Sequence, residues 1–183
     1  MTAPYNGGSV ITSYIIEIRH FDGAYFSEYK ATCDGSQASI VSSLLCKIPL
    51  SALRVAPYSL TWGNLIYARV AATNVKGTSV FSEINAGTQM LTKPDAPFNL
   101  ANDINRSSGK TITIVWNNGA EDGGTPVIDY IVSYDSGLGT NVFTVLASAV
   151  TTQSYSVTQV TPGKTYVFKV QSRNAFGPSL FSD

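Results

Sequence analysis

The chain's 183 residues suffice for one large domain or two small ones. Twelve Lys and Arg balance twelve Asp and Glu, so no net field favours nucleic acid or an anionic membrane, and neither is expected as a partner. Only 13% of the residues are charged, and no apolar run approaches the ~20 residues of a membrane helix, so no membrane insertion is expected in this stretch.

Thr2, Ala3 and Pro4 follow Met1 with neither a basic nor an apolar leader, so no signal peptide is expected here. The first organised stretch is a loop, Asn6-Gly7-Gly8, whose glycines supply permissive backbone before a strand in which Tyr14, Ile16 and Ile18 alternate. His20, the only histidine, ends that strand before the turn at Asp22-Gly23 and reads as a surface hairpin residue, not a general base. Cys33 and Cys46 follow. They read either as a bridge closing a short loop or as two buried free thiols in a reducing compartment. With a single histidine they make too few ligands for a closed zinc site.

From Gly63 to Ser82 the chain reads GNLIYARVAATNVKGTSVFS, and GKTYVFKVQSRNAFGPSLFS from Gly163 to Ser182 repeats it. Ile66, Ala68 and Val70 stand where Tyr166, Phe168 and Val170 stand, and Asn74 and Gly77 match Asn174 and Gly177. Each copy reads as two antiparallel strands joined by a tight polar turn, the Asn and Gly accepting its left-handed backbone. The glycine loop recurs as Asp122-Gly123-Gly124, followed by a strand with Tyr130, Val132 and Tyr134. The offset is 116 at the glycine loop and 100 at the hairpin, so the first copy carries 16 extra residues around Cys33 to Pro49. These make a longer middle segment.

Between the copies, Thr92 to Pro97 reads as a linker whose prolines limit bending. It enters an edge strand at Phe98 to Leu100, and a second strand places Ile112, Ile114 and Trp116 inward, with Trp116 as the core anchor. Val142, Thr144 and Leu146 form a further strand, Gln153 to Val157 another, and Thr161-Pro162-Gly163 turns the corner. Nothing precedes the first copy's glycine loop to match the Leu100 and Trp116 strands. The second copy stops at Asp183, before a match to Ile84 through Leu91. The expected domains are 1–93, partial and lacking its first two strands, and 94–183, with a shortened last strand. The structural core residues expected are Tyr14, Val70, Trp116, Tyr130, Tyr166 and Val170.

Chemistry is sparse. No Ser sits in a G-x-S-x-G elbow, and the glycine pairs lead loops into strands, unlike phosphate cradles. The acids Glu121, Asp122, Asp129 and Asp135 read as solvated, not as a calcium site. No catalytic residue, metal or cofactor is expected. Asn105-Arg106-Ser107 is a sequon for N-glycosylation in a polar turn.

The run Pro97, Leu100, Trp116, Gly123-Gly124, Tyr130, Val160 to Tyr166, Val170, Asn174, Gly177 and Ser182 resembles a fibronectin type III domain over residues 94–183. The resemblance implies a seven-strand β-sandwich in which the Tyr166 hydroxyl bonds back to the preceding corner. The first copy is more divergent, with Ile66 where that tyrosine would stand. Its segment from Cys33 to Gly63 resembles the type III-like repeats of large surface proteins of ciliated protists. That likeness implies an extracellular multi-repeat protein and a Cys33–Cys46 disulfide. The fold class expected is therefore all-β, with tandem immunoglobulin-like sandwiches.

The function expected is non-enzymatic: a spacer or adhesion module in a longer extracellular or cell-surface array. It would meet other proteins or further repeats of the same chain, and its first domain would be completed by another segment. The rival readings are an intracellular cytoskeletal or ciliary scaffold, and an accessory module of an enzyme.

Overall fold

A computed structural model describes residues 4–183, which form two compact units divided between Met90 and Leu91. In the first unit, β1 (Ser13–Arg19) pairs antiparallel with both β2 (Phe26–Glu28) and β4 (Ala68–Asn74), and β4 pairs with the short β5 (Gly77–Thr78). The register sets Tyr14 opposite Ala72, Ile16 opposite Val70 and Ile18 opposite Ala68, so one face of the sheet is apolar throughout. β3 (Leu65–Ile66) pairs with β6 (Thr88–Gln89).

The 16-residue excess predicted around Cys33 to Pro49 folds as a loop carrying one short helix. α1 spans Ala38–Ser43, and α2 spans Leu50–Leu53 just beyond. Asp34 prepares α1: its carboxylate accepts from the Ser36 N–H and hydroxyl, and its carbonyl accepts the Gln37 N–H. The helix ends at Leu44, which takes the left-handed conformation and donates its N–H to Ile40 O.

This insert is the lid of the first unit. Ile40, Val41, Leu44, Cys33, Cys46 and Ile48 pack on Tyr14 and Ile16. Leu53, Tyr58, Leu60 and Met90 pack on Ile18. Among the described residues no strands of this unit match the second unit's first two, and helices with a disulfide cover most of the exposed face. The cover is incomplete over β4. Val70 is half-buried and packs against the cluster of Tyr14 and Ile16, whereas its equivalent Val170 is fully buried.

The second unit is a two-sheet sandwich. One sheet runs β10 (Thr144–Val150), β9 (Asp129–Tyr134), β12 (Phe168–Asn174) and β13 (Gly177–Pro178). The other runs β11 (Ser154–Thr158), β8 (Thr111–Asn117) and β7 (Phe98–Asn102). Ile114, Trp116, Tyr130, Val132 and Val170 form the buried core between them. Trp116 meets Tyr130 edge-on, with ring centroids 5.3 Å apart, and the Tyr130 hydroxyl donates to Asn118 Oδ1. The indole N–H of Trp116 is buried without a hydrogen-bond partner.

Thr92 to Pro97, expected as a linker, belongs to the second unit's own hydrogen-bond net. Thr92 N–H donates to Gly123 O, Asp95 N–H to Glu121 O, and the Ser172 hydroxyl to Asp95 O. Pro94 and Pro97 are buried. Gly123 is required here: its φ is +77°, and a Cβ would lie 2.3 Å from Thr92 O.

Candidate interaction surface

The two units share three devices that the sequence repeat brings to equivalent places. The first fastens the turn after the β4 and β12 strands. Asn174 Oδ1 accepts the N–H groups of Phe176 and Gly177, while its Nδ2 donates to Thr92 O and Asp122 O. Asn74 does the same work in the first unit, donating to Asn6 O and Ser9 O and accepting from Lys76 N–H. Gly77 and Gly177 take positive φ, but neither Asn does. The expectation of a left-handed Asn is therefore corrected: each Asn ties its turn to the glycine loop because its side chain both donates and accepts.

The second device is a serine ladder. Ser179 and Ser182 donate their N–H to Ser172 O and Val170 O, and their hydroxyls accept the N–H groups of those same two residues. Ser79 and Ser82 repeat this on Ala72 and Val70, and Asn85 extends it by one rung onto Ala68. The last segment advances three residues for every two of its neighbour. A side-chain oxygen stands in where a regular ladder would offer a carbonyl.

The third device lies on the outer sheet face. Arg69 of the first unit sits between two aromatic rings, its guanidinium carbon 4.0 Å from the Phe26 centroid and 4.2 Å from that of Phe81. Lys169 occupies the equivalent place in the second unit, with its ammonium 4.7 Å from the Phe143 centroid and 5.7 Å from that of Phe181. Phe26, Arg69 and Lys169 lie on strands, whereas Phe81, Phe143 and Phe181 come from the segments beside them. Beside Phe81, an apolar cleft of about 500 Å³ is lined by Tyr14, Val70, Ala72 and Val80.

Cys33 and Cys46 form a disulfide, with Cα atoms 5.2 Å apart. Cys33 is buried, and the strap is reinforced by Thr32 donating its hydroxyl to Lys47 O. Gly35 lies against Tyr14: the Tyr14 N–H donates to Gly35 O, and a Cβ at Gly35 would meet Tyr14 O at 2.0 Å.

Asn105 lies exposed in a turn, its N–H donated to Asp103 Oδ1, while the Ser107 hydroxyl donates to Asn102 Oδ1. His20 is half-buried, with Nε2 hydrogen-bonded to Ser27 Oγ and its ring edge-on to Tyr58. Tyr166 is half-buried ahead of β12, and its hydroxyl accepts the Thr161 N–H.

Two of the acids read as solvated are buried and committed to structure. Asp135 accepts the N–H groups of Val167, Gly137 and Gly139, and the Val167 bond leads in holding its pKa below the ordinary carboxylate value. Asp129 pairs with Arg173, whose hydrogen bonds hold its carboxyl low. Among the described residues no three His, Cys, Asp or Glu side chains gather in a metal-ligating group.

Residues 95–183 match the family model for the fibronectin type III domain. The chain is 31% identical over 115 residues to fibronectin type-III domain-containing protein 3a of Gallus gallus, covering 63% of this chain and 9% of that protein. It is 28% identical over 186 residues to a titin homolog of Caenorhabditis elegans, covering 96% of this chain and 1% of that protein. The chain thus spans under a tenth of the length of these curated relatives. Among solved structures, a crystal structure of domains from titin aligns over 93% of this chain and 52% of its own, with a TM-score of 0.50 and 18% identity, a likeness of fold.

Proposed function

Because residues 95–183 form a fibronectin type III domain, we propose that the chain is a non-enzymatic spacer and protein-interaction module of a longer repeat protein. The observation that carries this reading is the recurrence of the same internal framework in both units. The Asn knot and the serine ladder are repeated, while the exposed residues around them differ. Such a framework holds the sheets rigid and leaves outer faces and loops as contact surface. The test is single-molecule extension of the whole chain between its termini. Two separate unfolding steps support the reading, and continuous extension without steps overturns it.

The setting we favour is extracellular or cell-surface, with adhesion among its roles. The Cys33–Cys46 disulfide supports it, since such bonds persist in oxidising compartments. The likeness to the titin homolog favours the alternative of an intracellular scaffold. Mass spectrometry on thiol-alkylated protein from its own cells discriminates: a bridged pair supports the first setting, and two alkylated cysteines support the second.

A further inference from the structure

The two aromatic-framed cations differ in one respect. In the first unit Glu17 stands directly opposite Arg69 across the β1–β4 pair, and its Oε2 lies 2.7 Å from both the Arg69 Nε and an η nitrogen. In the second unit Ser133 stands opposite Lys169 in the same register. No carboxylate of the second unit reaches Lys169. Its ammonium is left between Phe143 and Phe181 on a face where Val145 and Phe181 are exposed. The first unit thus shows which group fits such a slot: a carboxylate on the cation, with aromatic rings on either side.

We propose that Lys169, Phe143 and Phe181 form a docking site for an acidic, partly apolar segment of a partner protein. A Glu or Asp carboxylate of the partner takes the place that Glu17 fills internally on Arg69. The rings shield the ion pair from water, which strengthens it relative to an open surface pair. Val145 and the exposed edge of Phe181 receive the apolar side chains next to the acid. Lys169 sets the charge preference, and the exposed apolar residues set the sequence context. This inference rests on reading the chain as an interaction module. Its failure would leave the two-step extension of the units unchanged, so the two readings fail separately.

The experiment titrates the whole 183-residue chain with a capped, labelled octapeptide of alternating leucine and glutamate, and with its leucine–glutamine counterpart, followed by fluorescence anisotropy and amide chemical shifts. Saturable binding of the glutamate peptide is expected, with shifts centred on Lys169 and Phe181. Affinity should fall roughly tenfold for the glutamine peptide, for Lys169→Gln and for Phe181→Ala, and stay unchanged for Lys110→Gln. Ser133→Glu, which supplies an internal acid as in the first unit, should block the site. Glu17→Gln, which frees Arg69, should add a second site on the first unit. Ser133 is buried, so Lys169→Gln and Glu17→Gln test the idea if Ser133→Glu fails to fold. Equal binding of both peptides, full affinity in Lys169→Gln, or a heparin-derived oligosaccharide binding Lys169 in preference to the acidic peptide would overturn the proposal.

Discussion

Opening the Cys33–Cys46 disulfide should unfold the first unit's lid and leave the second unit intact. The two cysteines lie 13 positions apart, so cross-linking removes chain entropy worth about 3 kcal/mol from the unfolded state on the loop-closure relation. For a unit of this size, that loss lowers Tm on the order of 10–20 °C. The effect should be local because the bond clamps the segment that packs on Tyr14 and Ile16. The assay compares the oxidised chain, the chain reduced with a phosphine, and the Cys33→Ala/Cys46→Ala variant. Calorimetry is run beside peptide-resolved hydrogen exchange. Amides from Cys33 to Leu44 and along β1 should lose protection in both treated samples. The second unit, with no cysteine, is the internal control. Unchanged exchange over Cys33 to Leu44, or equal loss in both units, would refute the view of the insert as a clamped lid.

Gly35→Ala should destabilise the first unit severely and spare the second, since its Cβ would overlap a backbone oxygen that cannot move without breaking β1; unit-resolved thermal melts check it. Asn174→Ala removes four hydrogen bonds at a buried position and should cost about 2–5 kcal/mol in urea unfolding, against about 1 kcal/mol for Ser182→Ala. Trp116→Ala should cost about 3–5 kcal/mol. Trp116→Phe should cost far less, because it also removes an unpartnered buried N–H. The carboxyls of Asp135 and Asp129 have folded pKa values below their unfolded ones, so their contribution is complete above about pH 4 and is lost as pH falls through the lower folded values. The second unit should therefore lose stability below about pH 4, and Asp135→Asn should flatten that slope in acid titrations followed by circular dichroism.

What could be read in the sequence was whatever repeats at a fixed offset or alternates along a strand. Tyr14, Ile16 and Ile18 declared a half-buried strand, and the match between Gly63 to Ser82 and Gly163 to Ser182 declared two units. The helix of the insert and the one just after it stayed hidden because α1 and α2 are only 6 and 4 residues long, too short for a helical period to show. The serine ladder stayed hidden because its step of three has no template in either helix or regular strand. The Phe–cation–Phe stacks draw their members from strands and neighbouring segments far apart in sequence, so only the fold unites them. Asn74 and Asn174 were visible as recurring residues, but the chemistry of a turn and that of a knot use the same amide. Val70 and Val170 are equivalent in sequence but differ in depth, because burial depends on what lies above each strand.

The three-for-two step of the final segment bears on how like repeats coexist. Copies held on one chain meet at high effective concentration, where a straight outer border would recruit the border of a neighbour. A regular border offers its amides every second residue. Here the spacing of Ser79, Ser82 and Asn85 falls out of phase with any incoming strand. The side-chain oxygens that close the rungs from within therefore also make that border illegible to a sibling, and crowding need not end in fusion.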